Sequence, residues 1–231
     1  MIVEVASQKG GAGKTTAAVN LGHGLARRNH LVLLVDRDPQ LNTLDALGLR
    51  TLAESAAPAP GIYETKRTGL HLFPAGAEDV DLTALAEQYD LVVVDTAPDQ
   101  FLQRTTLPYA DIVIIPAQCF SLGVRGALLT LDVIRQISQP RYTYVLPTMY
   151  DGSAEHDAHL ELLADLPGAE AAPYIPKNNN IPKGQGKGRT IYEGGGRGMH
   201  AVCEKYDYLV DWIEQAMHAA GQRMDLVTLC H

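Results

Sequence analysis

The chain has 231 residues, of which 46% are hydrophobic and 20% charged, the balance of an ordinary soluble globular protein long enough to bury a substantial core. A formal charge of −8 by itself disfavours a nucleic-acid partner, although where the charge sits matters more than its sum. Three scattered cysteines, Cys119, Cys203 and Cys230, lack any paired spacing, which argues against a disulfide framework or a cysteine-ligated cluster and suits a reducing cytosol. In chain order, MIVEVAS is predicted as a first strand, and KTTAAVNLGHGLARRN as a helix with Ala18, Leu21 and Leu25 at helical spacing. HLVLLVD is a second strand, apolar throughout as a strand covered on both faces must be. LHLFPAG, YDLVVVDTAP, DIVIIPAQ and RYTYVLPT repeat that pattern, with helices expected near 80–88, 101–108, 122–137 and 154–165. A last helix is predicted at about 199–219, turning Val202, Tyr206, Leu209, Ile213 and Met217 to one side.

This alternation predicts a doubly wound α/β fold, a mainly parallel sheet flanked by helices, over residues 1–231 as a single domain. Two stretches break the rhythm. AESAAPAPG at 53–61 reads as a short Ala/Pro surface linker, and residues 177–198 as a long, partly mobile loop with about one turn of structure. The apolar run LVLLV at 31–35 is far too short to span a bilayer, and the N-terminal residues do not resemble a signal peptide.

Gly10 to Thr15 reads GGAGKT between a strand and a helix. The usual phosphate-loop pattern wants a further glycine where Gln8 stands, so that pattern is not met. Its physics is intact. Gly10, Gly11 and Gly13 let backbone N–H groups turn inward around phosphate oxygens, and the helix N-terminus adds partial positive charge. Lys14 is placed to reach the β and γ phosphates and the Thr15 hydroxyl to bind Mg²⁺.

KGGAGKTT, residues 9–16, resembles the deviant Walker A box of the ParA/MinD group of ATPases. VLLVDRDPQLNT at 32–43 is similar to that family's second motif and YDLVVVDTAP at 89–98 to its Walker B region, while GLHLFPAG, PTMYDG and GRTIYE resemble weaker stretches of ParA partition ATPases. The resemblance implies a P-loop NTPase of deviant Walker A type that binds ATP and Mg²⁺. It implies that Gly10, Gly11, Ala12, Gly13, Lys14, Thr15 and Thr16 hold the nucleotide, and that Lys9 reaches across a face-to-face homodimer to the partner's phosphates. A cation lent in this way offsets the repulsion of two facing triphosphates. Asp38 is expected to orient the attacking water and Asp36 to support Mg²⁺ through its hydration shell, with capping of the following helix as the alternative for one of the two. Asp95, after LVVV, is expected at the metal together with Thr15. Met149, Pro176 and Asn178 are candidates beside the adenine, or else packing and turn residues. Arg37 departs from the small or apolar residue usual there. Slow hydrolysis without a partner is expected, since no arginine finger is visible.

Lys177, Lys183, Lys187, Arg189 and Arg197 stand against one acid, Glu193. Such a basic cluster on an acidic chain fits a phosphate-binding surface for nonspecific DNA, doubled in a dimer, or a solvated loop. The C-terminal GQRMDLVTLCH lacks the basic amphipathic character of a membrane anchor. The phosphate loop opens the chain directly, which resembles the short ParA type. That type implies a cytoplasmic, nucleoid-associated ATPase working with a small, site-specific DNA-binding partition protein. A metabolic kinase or ligase on the same fold is the competing reading, with Asp151, Glu155, His156 and Asp157 as a conceivable substrate constellation, and a nucleotide-gated scaffold with little hydrolysis is a third.

Overall fold

The computed structural model describes residues 1–50, 61–76 and 78–228, with side chains through residue 220. Continuous apolar runs pair side by side. Strands β1 (Ile2–Val5), β2 (Val32–Arg37), β3 (Tyr63–Glu64), β4 (Leu70–Pro74), β5 (Leu91–Thr96), β6 (Ile112–Gln118), β7 (Tyr142–Thr148) and β8 (Glu170–Ala171) form one sheet in the order β3-β4-β2-β5-β1-β6-β7-β8. Every neighbouring pair is parallel except β3 with β4. Parallel neighbours need crossovers, and helices supply them: α1 (Lys14–Ala26), α2 (Asn42–Leu47), α3 (Leu82–Ala86), α4 (Gln100–Thr106), α5 (Ser121–Ile137), α6 (Ala154–Ala164), α7 (Asn180–Gln185) and α8 (Met199–Thr228).

Alternate residues of each strand face opposite layers. On one face Val5, Leu34, Ile114 and Leu146 pack against Leu21 and Leu25 of α1 and Val202, Tyr206, Leu209 and Ile213 of α8, with Met217 partly buried beside them. On the other, Val113, Ile115 and Val145 meet Ala127, Leu131 and Ile134 of α5, and Leu33, Val35, Val92 and Val94 meet Leu82 of α3. Helices α1 and α8 approach closely at Gly24, where a Cβ would come within 2.8 Å of Val210 Cγ2. Local signals start several helices: the Asp99 carboxylate accepts from the N–H groups of Phe101 and Leu102, and the Ser153 hydroxyl from His156 N–H.

The predicted strands and helices are present in the predicted order, and three features differ. Helix α8 continues to Thr228 instead of stopping near 219. Two-residue strands β3 and β8 extend the sheet at its edges, too short to leave a periodic signal. Residues 177–198 are not a loop with a single turn: they hold α7 and a 3₁₀ turn at Ile191–Glu193, closed by a Thr190/Glu193 capping box. That segment is docked by residues remote in sequence. The Arg67 guanidinium donates to the carbonyls of Leu47 (2.9 Å) and Gly188 (2.6 Å) and to the Glu193 carboxylate. Asn20 Oδ1 accepts from Ile191 N–H, and the His23 ring meets the Thr190 hydroxyl. The predicted Ala/Pro linker lies, but for Gly61, outside the described residues, as does Cys230. Among the described residues no helix is long and apolar enough to cross a membrane.

Candidate nucleotide-binding site

The loop from Lys9 to Gly13 leaves the C-terminal end of β1, where β5 and β6 flank it. Gly11 (φ +73°) and Gly13 (φ +98°) take left-handed conformations that a side chain rarely adopts, and Gly13 hands the chain into α1. The loop is braced from β6 and β7: Gln118 Nε2 donates to Gly11 O (2.9 Å), and the Thr148 hydroxyl to Ala12 O (3.2 Å). A cleft of about 680 Å³ opens above it, lined by Gly10, Gly11, Gly13, Lys14, Thr15, Thr16 and Asp38 among others. The Lys14 side chain is buried at its floor, with Nζ 3.4 Å from Lys9 O. Burial lowers its pKa, and the charges of Asp95 and Asp38 oppose that shift.

Lys9 is elsewhere. Its stem packs on Gly126 of α5, its ammonium lies 3.9 Å from the centre of the Phe120 ring, and Nζ is 3.5 Å from Gln118 Oε1. It is not among the residues lining the cleft. The two lysines of the box therefore occupy different surroundings.

The acids converge because β2 and β5 are neighbours in register: Asp36 stands opposite Asp95 at their C-terminal ends, both buried. Among the described residues neither Asp95 carboxylate oxygen has a well-formed hydrogen bond, although the Thr15 hydroxyl is close by. Burial and the adjacent Asp36 push its pKa well up, while Thr15 and Lys14 favour its charged form. Asp36 accepts from the N–H and hydroxyl of Thr43 in the first turn of α2 and from Asp38 N–H, yet burial raises its pKa to about 6. Its carboxylate thus holds the first turn of α2 and stands beside Asp95, and it is not among the residues lining the cleft. Asp38 lies past the end of β2, where the chain folds back on Asp36, and lines the cleft.

Arg37 ends β2 with its side chain buried. Nη2 is 3.4 Å from the Thr105 hydroxyl of α4, and Nε and Nη1 have no hydrogen-bond partner among the described residues. Glu4 and Asp79 are the acids that attract it. The departure noted in the sequence is a charge placed inside the protein, facing away from the nucleotide cleft.

A second, more apolar cavity of about 200 Å³ adjoins the cleft. Met149, Pro176 and Asn178 all line it, with Ile175, Ile181 and Tyr206. Met149 holds a left-handed backbone (φ +58°) at the shared mouth. Four further residues were not singled out from the sequence. Thr43 holds Asp36, and Gln118 links Gly11 to Met149. Gln103 donates to Ala97 O (3.0 Å) and Ser7 O (3.4 Å), tying the loop after Asp95 to the start of the phosphate loop. Gln185, at the end of α7, lines both cavities. Glutamines carry no motif, so no sequence signal marks them.

Lys177, Lys183, Lys187, Arg189 and Arg197 are all exposed, and none makes an ion pair among the described residues. Glu193, the acid among them, is bound to Arg67. Asp151, His156 and Asp157 gather around the Tyr150 ring. Asp151 pairs with His156 (2.9 Å), and Asp157 accepts from the Tyr150 hydroxyl, around the start of α6. Glu155 sits in the first turn of that helix.

A glycine loop feeding a helix N-terminus, a buried lysine and paired acidic strand ends on a parallel sheet define a nucleotide-binding P-loop protein. The CobQ/CobB/MinD/ParA nucleotide-binding domain matches residues 3–191, and the chain belongs to that family. The chromosome-partitioning ATPase Soj of Thermus thermophilus is 35% identical over 217 residues, 82% of this chain and 86% of the relative. The chromosome partitioning protein ParA of Caulobacter vibrioides is 29% identical over 228 residues, 82% of this chain and 85% of the relative. Apo McdA of Cyanothece shares the fold with a TM-score of 0.76 at 21% identity, covering 94% of this chain and 98% of that one.

Proposed function

We propose that this chain is a partition ATPase of the ParA type, which dimerises on binding ATP, coats DNA without sequence preference and releases it on hydrolysis. The relatives named for partitioning support the general class. The observation that carries the cycle is the separation of the two lysines. Lys14 is buried in its own cleft, whereas the Lys9 ammonium stays out of it, at the surface beside Phe120. A cation outside its own site is free to serve a facing one, and two opposed triphosphates need such a cation.

Within one protomer, the phosphate loop amides and Lys14 hold the phosphates, and Thr16 and the apolar cavity at Met149, Pro176 and Asn178 hold the nucleoside. Asp38, at the cleft wall, orients water toward the γ-phosphate. The donor set fits Mg²⁺ arriving with its nucleotide. Among the described residues there is no cluster of three acids, histidines or cysteines to cage a metal, which suits a cation that keeps its waters and leans on substrate phosphates. The buried Asp95 oxygens, beside Thr15 and Asp36, would accept hydrogen bonds from such waters. When bound, Mg²⁺ would neutralise charge on the β and γ phosphates. Slow turnover without a partner is part of this reading, and no arginine is among the described residues lining the cleft.

The exposed basic residues of 177–197 are the proposed DNA surface, doubled in the dimer, so that binding falls steeply with salt. A small, site-specific DNA-binding partition protein would trigger hydrolysis in a cytoplasmic, nucleoid-associated cycle. Retention on nonspecific DNA is the test: it is expected with ATP and lost with ADP or no nucleotide. Lys9→Ala should abolish ATP-dependent self-association while ATP still binds, and Lys14→Ala should abolish ATP binding. A protein that stays monomeric with a non-hydrolysable analogue and Mg²⁺ refutes the proposal.

A further inference from the structure

Gln185 Oε1 accepts from the Thr16 hydroxyl at 3.1 Å, which turns the amide end of the side chain toward α1. Its Nε2 is buried from water and has no hydrogen-bond partner among the described residues. A buried donor left unpaired is destabilising, so a native structure that keeps one calls for an acceptor from elsewhere.

The place of the side chain says what that acceptor is. Gly13, Thr16, Met149 and Gln185 line both the phosphate cleft and the apolar cavity. The cleft suits phosphates and the cavity, walled by Ile175, Pro176 and Tyr206, suits a flat base. In a nucleotide the group that joins base to phosphates is the sugar. We infer that Gln185 donates from Nε2 to a ribose hydroxyl oxygen of the bound nucleotide and so selects ribonucleotides over deoxyribonucleotides.

The role deepens the nucleotide site proposed above and rests on it, but not on DNA binding or dimerisation. It also gives the basic segment a link to the nucleotide, because Gln185 closes the helix between Lys183 and Lys187. A site built to hydrogen-bond a hydroxyl discriminates against the analogue that lacks it, because its own donor is then stranded.

The test is a binding cycle with ATP, 2′-deoxy-ATP and 3′-deoxy-ATP against the intact chain, Gln185→Leu and Gln185→Glu, each checked for folding by thermal melting. The Glu variant keeps an acceptor for Thr16 and removes the donor. The intact chain should bind ATP about 5–10-fold more tightly than one of the deoxy analogues, the worth of one neutral hydrogen bond, and both variants should lose that preference. If the intact chain shows no preference, or the variants keep it, Gln185 does not read the sugar. If the intact chain binds none of the three, the nucleotide site itself is wrong and the inference falls with it. Normal sugar selectivity with no DNA retention would overturn the partition function alone.

Discussion

Glu4 offers the sharpest measurement outside the nucleotide cleft. It sits within β1, fully buried, and among the described residues neither carboxylate oxygen has a well-formed hydrogen bond, although Thr106 is close by. Burial raises its pKa from 4.5 to about 8, lessened by Thr106 and by the buried Arg37. The native state therefore keeps a proton that the unfolded chain releases above pH 4.5. Because the folded value is the higher one, this contribution to stability is fully present below pH 4.5, shrinks as pH rises, and is gone above about pH 8. Gln has the shape of the protonated acid and cannot ionise. At 1.36 kcal/mol per unit, Glu4→Gln should gain about 2 kcal/mol from this source at pH 6 and about 4 kcal/mol at pH 8. Chemical denaturation of both proteins at pH 6, 7 and 8 reads the difference, which cancels the other titrating groups. A gap that widens by about 2 kcal/mol from pH 6 to 8 is expected. A gap that stays flat across that range refutes the assignment, since an unperturbed carboxyl would already be ionised throughout.

Other substitutions probe the scaffold of the site. Arg67→Met strands two carbonyls and the Glu193 carboxylate. It should cost about 1–3 kcal/mol from the stranded carbonyls and speed hydrogen exchange in residues 180–193, and unchanged exchange there would contradict the docking role. Thr43→Val removes a hydroxyl donor from the buried Asp36 and should lower stability by about 1.5–3 kcal/mol in urea unfolding, largely restored by Thr43→Ser. Gly188→Ala places a Cβ within 2.4 Å of Gly48 Cα at φ +64°. It should destabilise the chain by about 1–3 kcal/mol, seen as a lowered melting temperature, and a neutral result would mean the two turns are not in contact.

How much of the site was legible depended on how local each signal is. The strand, glycine turn and helix at 2–26 lie within one short stretch, so phosphate binding could be argued from neighbours alone. Asp36 and Asp95 were each visible as acids at strand ends, but their meeting was not. It depends on β5 lying between β1 and β2, an order set by sheet assembly. The segment 177–198 was misjudged because its glycines and asparagines look like a loop, while the groups that dock it, Arg67, Asn20 and His23, lie over a hundred residues earlier. Arg37 had no explanation until its burial near Glu4 and Thr105 was seen.

The amino-acid order by itself determined the strand and helix sequence, the parallel sheet and the phosphate-binding turn. Each follows from periodicity or backbone freedom within a few neighbouring residues. Tertiary structure alone decided that Lys14 is buried while Lys9 rests on Phe120, that Asp36 both caps a helix and faces Asp95, and that Gln185 reaches Thr16. Those pairings join residues whose separation along the chain carries no physical signal, and they form only when the packed layers bring distant backbone segments within hydrogen-bonding reach.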